Sequence, residues 1–394
     1  MTKDLTPDPV VDRLRDEARW SATRIARETG IPITPADVAR TLSIRAGCFP
    51  GRRLSPAEEY CLRLDFVESC RVWCELRGRD PGPDPTTTVR MATSTAEGFA
   101  SLLDAGVGAA LSTGFATGAD TTTGWTAQIA VPDFHEVEAF VLDAAGRIEV
   151  LPRGAAPADF SVTVRAEDWR VHRYASRFVI DEQDILDAPR RLSAILRMVE
   201  SMGRAAAMIR PDLVYSAILA NASLSDDIAL FDAADHGNAG TAALADSSLY
   251  AALSAIGNQV LTTATGEPVH PGARGKYLIV PPDLCGTARE LARAIALGDD
   301  DDLEVRAESR ISTTSVVRPS DGAPFTGSAT NWMLAARASD VPCIIVGARG
   351  GQFSPLLRSR PLTRGGWGVE YTIHLDIGAA AVNYPGLYFS SGTG

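Results

Sequence analysis

LFDAADHGNAG, Leu230–Gly240, and GVEYTIHLDIGAAAVNYPGLYFSSG, Gly368–Gly392, are the stretches on which the reading of this chain turns. Asp232, Asp235, His236 and Asn238 make the first of them its tightest polar cluster. Read as chemistry, the cluster is an acid–base or metal site, and with Ser223 or Ser225 as nucleophile beside Asp235 and His236 it is a hydrolase. A metal-binding helix would need a second His or carboxylate at a helical step, and no G-x-S-x-G nucleophile turn occurs anywhere. Read as structure, it is a loop. Gly237 takes a positive φ there, while Asp235 and Asn238 satisfy nearby backbone groups. The spacing favours the loop.

Around that stretch, 394 residues with 45% hydrophobic side chains are enough for two or three domains, each burying its own core. No run approaches the roughly 18 apolar residues of a membrane span. The first twenty residues are polar and charged, without the apolar core of a signal peptide, so the chain is expected to stay in the cytosol where it is made. A net charge of −11 excludes tight gripping of nucleic acid over the whole surface, although a lining facing packaged DNA needs only weak contact. Lys3 and Lys276 are the only lysines, and Arg supplies the remaining positive charge. Arg holds planar, partly desolvated ion pairs better than Lys, which suits contacts between subunits, and genomic base composition explains the bias equally well.

Polar and charged helical patterns fill residues 1–85. Thr34-Pro-Ala-Asp37 caps a helix carrying Val38, Leu42 and Ile44. A second helix is expected from Ser55, with Pro56 at its first position, through Tyr60, Leu64 and Val67 to Leu76. GRDPGPDPTTT, Gly78–Thr88, reads as a semi-stiff linker and places a boundary near residue 85. Residues 86–125 are rich in small side chains around the apolar FASLLDAGVGAAL and suggest an arm packed on neighbours. Alternating strands fill 126–180, ending in FSVTV and WRVHRY, as an antiparallel excursion with little to bury in its own chain. Residues 181–222 carry the longest helical stripe, and Pro211 is expected to kink it or break it in two. An α/β mixture occupies 223–365, with strands YLIVPP and CIIVGA, and closing strands occupy 366–394.

Further chemical candidates have plainer readings. Asp299–Asp302 could hold calcium, yet four consecutive acids cannot all face one ion, and a solvated turn is preferred. Gly347, Gly350 and Gly351 follow a strand and could cradle phosphate, but no helix or Lys-Ser/Thr follows and Pro355 favours a turn. Cys70 and Cys74, four apart on a helix with Cys48 and Cys61 upstream, lack the paired knuckles of a zinc site and read as buried thiols. Cys285 and Cys343 read as core. No catalytic, cofactor-binding or metal-binding residue is therefore assigned, and no cofactor is expected.

Five blocks in order, DEQDILD (181–187), DLVYSAILANASLSDDIALFDAADHGN (212–238), KYLIVPPDLCGTARELA (276–292), NWMLAAR (331–337) and RSRPLTRGGWGVEYTIHLDIGAAAVNYPGLY (358–388), resemble the Mu-like major capsid proteins of tailed bacteriophages and prophages. The resemblance covers roughly 175–392, and 86–175 more loosely. It implies an α+β, HK-ninety-seven-type capsid fold. In that scheme residues 1–85 are a helical segment, scaffolding-like and removable near 80–90, and 86–125 an N-terminal arm. Residues 126–180 are an extended β-loop, 181–222 the spine helix of a peripheral domain, 223–365 an axial domain with parts of the peripheral one, and 366–394 strands returning to the peripheral domain.

The resemblance also implies a subunit that assembles with itself into hexamers and pentamers of an icosahedral shell around double-stranded DNA. Assembly would take place in a host bacterial cytoplasm, with portal and scaffolding or maturation-protease partners and no membrane. An encapsulin-type nanocompartment shell is the alternative with the same fold. FDAADHGN carries one extra residue relative to the family's usual spacing, which alters only a loop. Some shells of this fold cross-link through a Lys–Asn isopeptide bond; with no Lys between residues 4 and 275, the extended loop offers no nucleophile for it.

Overall fold

Two successive capping boxes set the helical start of the chain in the computed structural model, which describes residues 26–27, 29–45, 53–81, 84–93, 99–145, 150–151, 153–154, 162–181, 189–262, 268–295, 303–362 and 368–393. Helix α1, Pro35–Arg45, begins where the Asp37 carboxylate accepts from the Thr34 amide at 2.9 Å. Helix α2, Pro56–Cys61, is capped by Ser55, whose hydroxyl accepts from the Glu58 amide while Glu58 accepts from the Ser55 amide. The single helix expected from Ser55 to Leu76 is instead two. Asp65 and Glu68 form a second reciprocal box, at 2.7 and 2.6 Å, and start α3, Phe66–Leu76. Asp84 then caps α4, Pro85–Thr93, inside the stretch expected to be linker, and α5 follows at Phe99–Ala116.

The remaining strands are β1 (Thr126–Val131), β2 (Val137–Ala145), β3 (Val162–Trp169) and β4 (His172–Asp181) before the long helix α6, Pro189–Ala220. After it come β5 (Ala239–Gly240), α7 (Asp246–Asn258), β6 (Leu261–Thr262), β7 (Pro268–Val269), β8 (Gly275–Val280) and α8 (Cys285–Ile295). Then follow β9 (Glu304–Ala307), β10 (Val316–Val317), β11 (Pro324–Phe325), β12 (Trp332–Ala336), β13 (Ile344–Arg349), β14 (Leu356–Pro361), β15 (Gly368–Ala381) and β16 (Leu387–Ser390). Pro211 lies inside α6 without breaking it. A proline removes one donor, and a helix held by burial on both sides of that position tolerates the loss. The chain divides into two compact units: Met1–Gly118, Ala175–Ala207 and Ser354–Leu375 form the first, and Ala119–Tyr174, Met208–Phe353 and Asp376–Gly394 the second.

In the first unit, β14 lies antiparallel to β15 with Leu357 opposite Ile373, and β4 also pairs with β15. Val369, Tyr371 and Ile373 face a core that contains Val107 and Leu111 of α5 with Leu196 and Val199 of α6. Residues on both sides of the expected boundary at 85 share this core. Among the described residues, ten of the nineteen buried in it, Val38, Leu64 and Trp73 among them, lie before residue 93. The helix expected to pack on neighbours as an arm is thus buried within its own unit. Helices α5 and α6 meet backbone to backbone: a Cβ on Gly114 would overlap the Glu200 carbonyl, and one on Gly203 the Leu111 carbonyl.

In the second unit, β1 runs parallel to β13, with Thr126 opposite Ile344, and β13 runs antiparallel to residues 377–381 of β15. The excursion expected from residue 126 therefore begins only at β2, because β1 is spent on a sheet. β2 and β3 form a separate two-stranded ribbon, from Val137 opposite Trp169 to Ala145 opposite Val162. Its root is packed through Trp169, which lies against Gly347, with Val131, Val171 and Ile345. A second sheet runs β5-β16-β12-β8-β9, and β12 is buried along its whole length. Leu249, Ala252 and Ile256 of α7 and Ala288, Ala292 and Ile295 of α8 are buried.

Because the α5–α6 crossing has no room for a methyl group, Gly203→Ala lowers the first unit's stability by about 1–3 kcal/mol in chemical denaturation. Gly257→Ala, on an open stretch of α7, is neutral or slightly stabilising in the same assay. Equal effects of the two would contradict the close crossing.

Candidate functional site

His236 is buried and flat against Tyr384, their ring centroids 3.8 Å apart and 8° from parallel. Its Nδ1 lies 3.3 Å from the Leu230 carbonyl and its Nε2 3.2 Å from Asp226 Oδ2. Both partners are acceptors, so the ring holds structure with both nitrogens and has none left for a serine. Asp235, the expected carboxylate partner, is exposed, as are Ser223 and Ser225. The Ser225 amide donates to Glu167.

The loop reading holds in its geometry. Gly237 has φ 60°, and Asn238, fully buried, donates from Nδ2 to the Leu230 carbonyl at 2.8 Å and accepts on Oδ1 from the Asp232 amide at 2.9 Å. The Asn238 carbonyl takes the Phe389 amide, which ties the loop to β16. One role moves: Asp232, not Asp235, accepts the loop amides, those of Ala234 and Asp235, each at 2.8 Å.

The other candidates resolve in the same direction. Gly350 and Gly351 have φ of 62° and 73°, and their amides already donate to the carbonyls of Val131 and Ala348, so they make a turn and not a phosphate cradle. Gly347 is a packing glycine under Trp169. Cys61, Cys70, Cys74 and Cys343 are buried thiols and Cys285 is half-buried; burial pushes Cys70 well up. Cys48 and Asp299–Asp302 lie outside the described residues. Among the described residues no group of His, Cys, Asp or Glu is placed to hold a metal ion, and no helix is long and apolar enough to cross a membrane.

Two ion-pair clusters escaped the sequence. Asp376, in the HLDIG run of β15, is buried and accepts two bonds from Arg173, at 2.7 and 2.8 Å, and one from Arg349 at 2.8 Å. Both guanidinium groups lie over the Phe134 ring, 5.1 and 5.3 Å from its centre. Phe134 sits in the turn that leads into β2, so the clamp fixes the root of the ribbon. In the second cluster Arg310 joins Asp212 of α6 to buried Glu308, which also accepts from the Thr121 hydroxyl. Thr121 in turn bonds the Tyr215 hydroxyl at 2.9 Å. The partners are separated by 27 to 203 residues in one cluster and by up to 187 in the other, beyond any local pattern.

Residues 165–389, more than half of the chain, match the family described as phage capsid protein, and the chain belongs to that family. Its fold mixes helices and sheets, and the family places it in the virion capsid as a structural subunit.

Among solved structures it is similar to the capsid protein of cyanophage P-SCSP1u, at 10% identity and TM-score 0.43 over 69% of this chain and 88% of that one. The mature capsid of bacteriophage PhiM1 matches at 12% identity and TM-score 0.43, over 69% and 86%. A virus-like particle from Pyrococcus furiosus matches at 12% and 0.37, over 71% and 96%. No curated protein matches the sequence significantly.

The Arg173 hydrogen bonds, opposed by burial and joined by the one from Arg349, hold the Asp376 carboxyl down at about 2. A carboxyl depressed on folding contributes stability above its ordinary value near 4 and loses it as pH falls through the folded value. Asp376→Asn therefore costs about 1–2 kcal/mol at pH 7, discounted for the half-exposed arginines. The gap to wild type in urea melts should close between pH 4 and 2. A gap that stays constant down to pH 2 would remove the clamp's electrostatic role.

Proposed function

We propose that this chain is the major capsid subunit of a Mu-like tailed phage or prophage, and that its copies close into hexamers and pentamers of an icosahedral shell around double-stranded DNA. The family match over residues 165–389 carries the reading. The β2–β3 ribbon supports it: Val150 and Leu151 near its tip are 93% and 54% exposed, and a ribbon with bare apolar residues is completed by another subunit. Portal and scaffolding or maturation-protease partners serve assembly, and packaged DNA touches the inner face weakly. The subunit performs no catalysis. An encapsulin-type cargo shell, the alternative with this fold, is less favoured because the matching family is that of phage capsids.

Residues 1–85, expected to be removable, stay with the mature subunit in this reading. A cut at 80–90 would strip away half of the first unit's buried core, and burial of that size is not given up without unfolding.

Expressed chain viewed by negative-stain microscopy should form closed shells, and particles boiled in detergent should run as monomer. A ladder of multimers would show covalent links, and a subunit that stays single at every concentration would end the shell reading. Peptide mass spectrometry of mature particles should recover residues 53–81 at the same stoichiometry as residues 189–220. Their absence would show that the N-terminal helices are shed.

A further inference from the structure

The second unit holds a cavity of about 340 Å³ where the root of the β2–β3 ribbon, the end of α6, the hairpin β10–β11 and residues 378–381 of β15 come together. Its floor is made of small side chains, Ala217 and Ala220 of α6 with Ala379, Ala380 and Ala381 of β15. Larger residues at these places would fill the space. Alanines keep it open.

The polar groups around that floor fall into two sets. One set is already spent on the fold. Glu167 accepts the Ser225 amide at 2.7 Å and ties the ribbon root to the loop after α6. Arg318 holds Asp321 through two bonds, at 3.0 and 2.7 Å, with its guanidinium over the Phe325 ring. The other set is unspent. Trp169, 6% exposed and with its benzo edge against Gly347, has a buried indole N–H that meets no acceptor among the described residues. Arg170, exposed on the rim, makes no hydrogen bond or ion pair among them, nor does His172 beside it. Against these donors stands the exposed Asp168 carboxylate.

Burial, and after it the charge of Arg170, holds His172 below its ordinary value, while Asp321 pulls the other way. At this point of the cavity the arginine's field is the stronger of the two. A buried donor without an acceptor is costly and uncommon in folded proteins. Three unspent donors above an alanine floor call for a ligand with an acceptor group, negative charge and a short apolar body. Inorganic phosphate would answer the donors and leave the floor bare.

We propose that this cavity is a binding site for a short aliphatic carboxylate, its chain on the alanine floor and its oxygens between the Trp169 indole N–H and the Arg170 guanidinium. A guanidinium grips a carboxylate through paired, charge-assisted bonds, and the buried indole adds a donor that water does not compete for. A free short-chain fatty acid and the carboxyl terminus of a peptide share this chemistry. The site is independent of the shell reading, since every residue that forms it belongs to one unit of one subunit. Its occupant touches the ribbon root, the end of α6 and the hairpin together, so the second unit becomes more stable as ligand is added.

The test is equilibrium dialysis of the full-length chain, assembled or not, against hexanoate and against N-acetyl-alanyl-leucine as free acid and as amide. Both acids should bind saturably, one per subunit, and raise the melting temperature, while the amide binds far more weakly. Arg170→Gln, on the exposed rim, should weaken the acids about tenfold. Ala217→Leu, which fills the floor with a good helix former, should abolish binding. The tighter of the two acids identifies the source, a peptide terminus if it is the dipeptide and a free fatty acid if it is hexanoate. No saturable binding by wild type up to about 10 mM, past the range expected of so small a ligand, would overturn the proposal. Amide and acid binding alike, or both variants binding as wild type does, would also overturn it.

Discussion

An antiparallel pair of strands standing apart from a sheet has two faces, and a second layer is needed to cover either. Among the described strands β2 and β3 pair only with one another, and they pack at their root through Trp169, Val137 and Ala139. A two-stranded ribbon is held together by its ladder of backbone hydrogen bonds, and an isolated hairpin is marginal in water. The second unit therefore spends polar interactions on the root: a carboxylate bound by two guanidinium groups stacked on Phe134.

The first unit shows the opposite economy. α5 is built from small residues, FASLLDAGVGAALSTGFA, and such a helix offers little surface of its own. Its value lies in how closely it lets α6 approach. With Gly114 and Gly203 at the crossing the two backbones touch, and Val107 and Leu111 reach the same core as Leu196 and Val199. Close-packed interiors tolerate neither an added methyl nor a void at such a point. The helices before residue 93 then fill the remaining side of that core.

Much of this was legible in the residues because it is local. The Thr34 and Ser55 caps, the positive φ at Gly237, the long stripe of α6 and the turn at Gly350 and Gly351 each depend on neighbours within four positions. What failed was local competition or distant pairing. Asp65 and Glu68 outbid the continuous helical stripe from Ser55 to Leu76, since two reciprocal hydrogen bonds to free amides are worth more than one further helical turn. Pro211 was expected to kink or break the helix, and the helix runs on through it, because its missing donor is visible in sequence while the burial of Leu213, Val214 and Tyr215 that outweighs a break is not. β1 read as part of the excursion, for its partner β13 lies more than two hundred residues on. In the polar loop, Asp235 was the more conspicuous residue, yet Asp232 sits where the amides of Ala234 and Asp235 converge.

The same distinction explains why the boundary near residue 85 was misleading. Gly78, Pro81, Gly82, Pro83 and Pro85 report that no helix passes through them, which is a statement about backbone torsions. Domain division is a statement about which apolar surfaces cover one another. Trp73 and Cys74 lie just before the break and Ala92 just after it, and all three are buried in one core. The segment that the break was expected to release supplies Trp73 and Cys74 to that core.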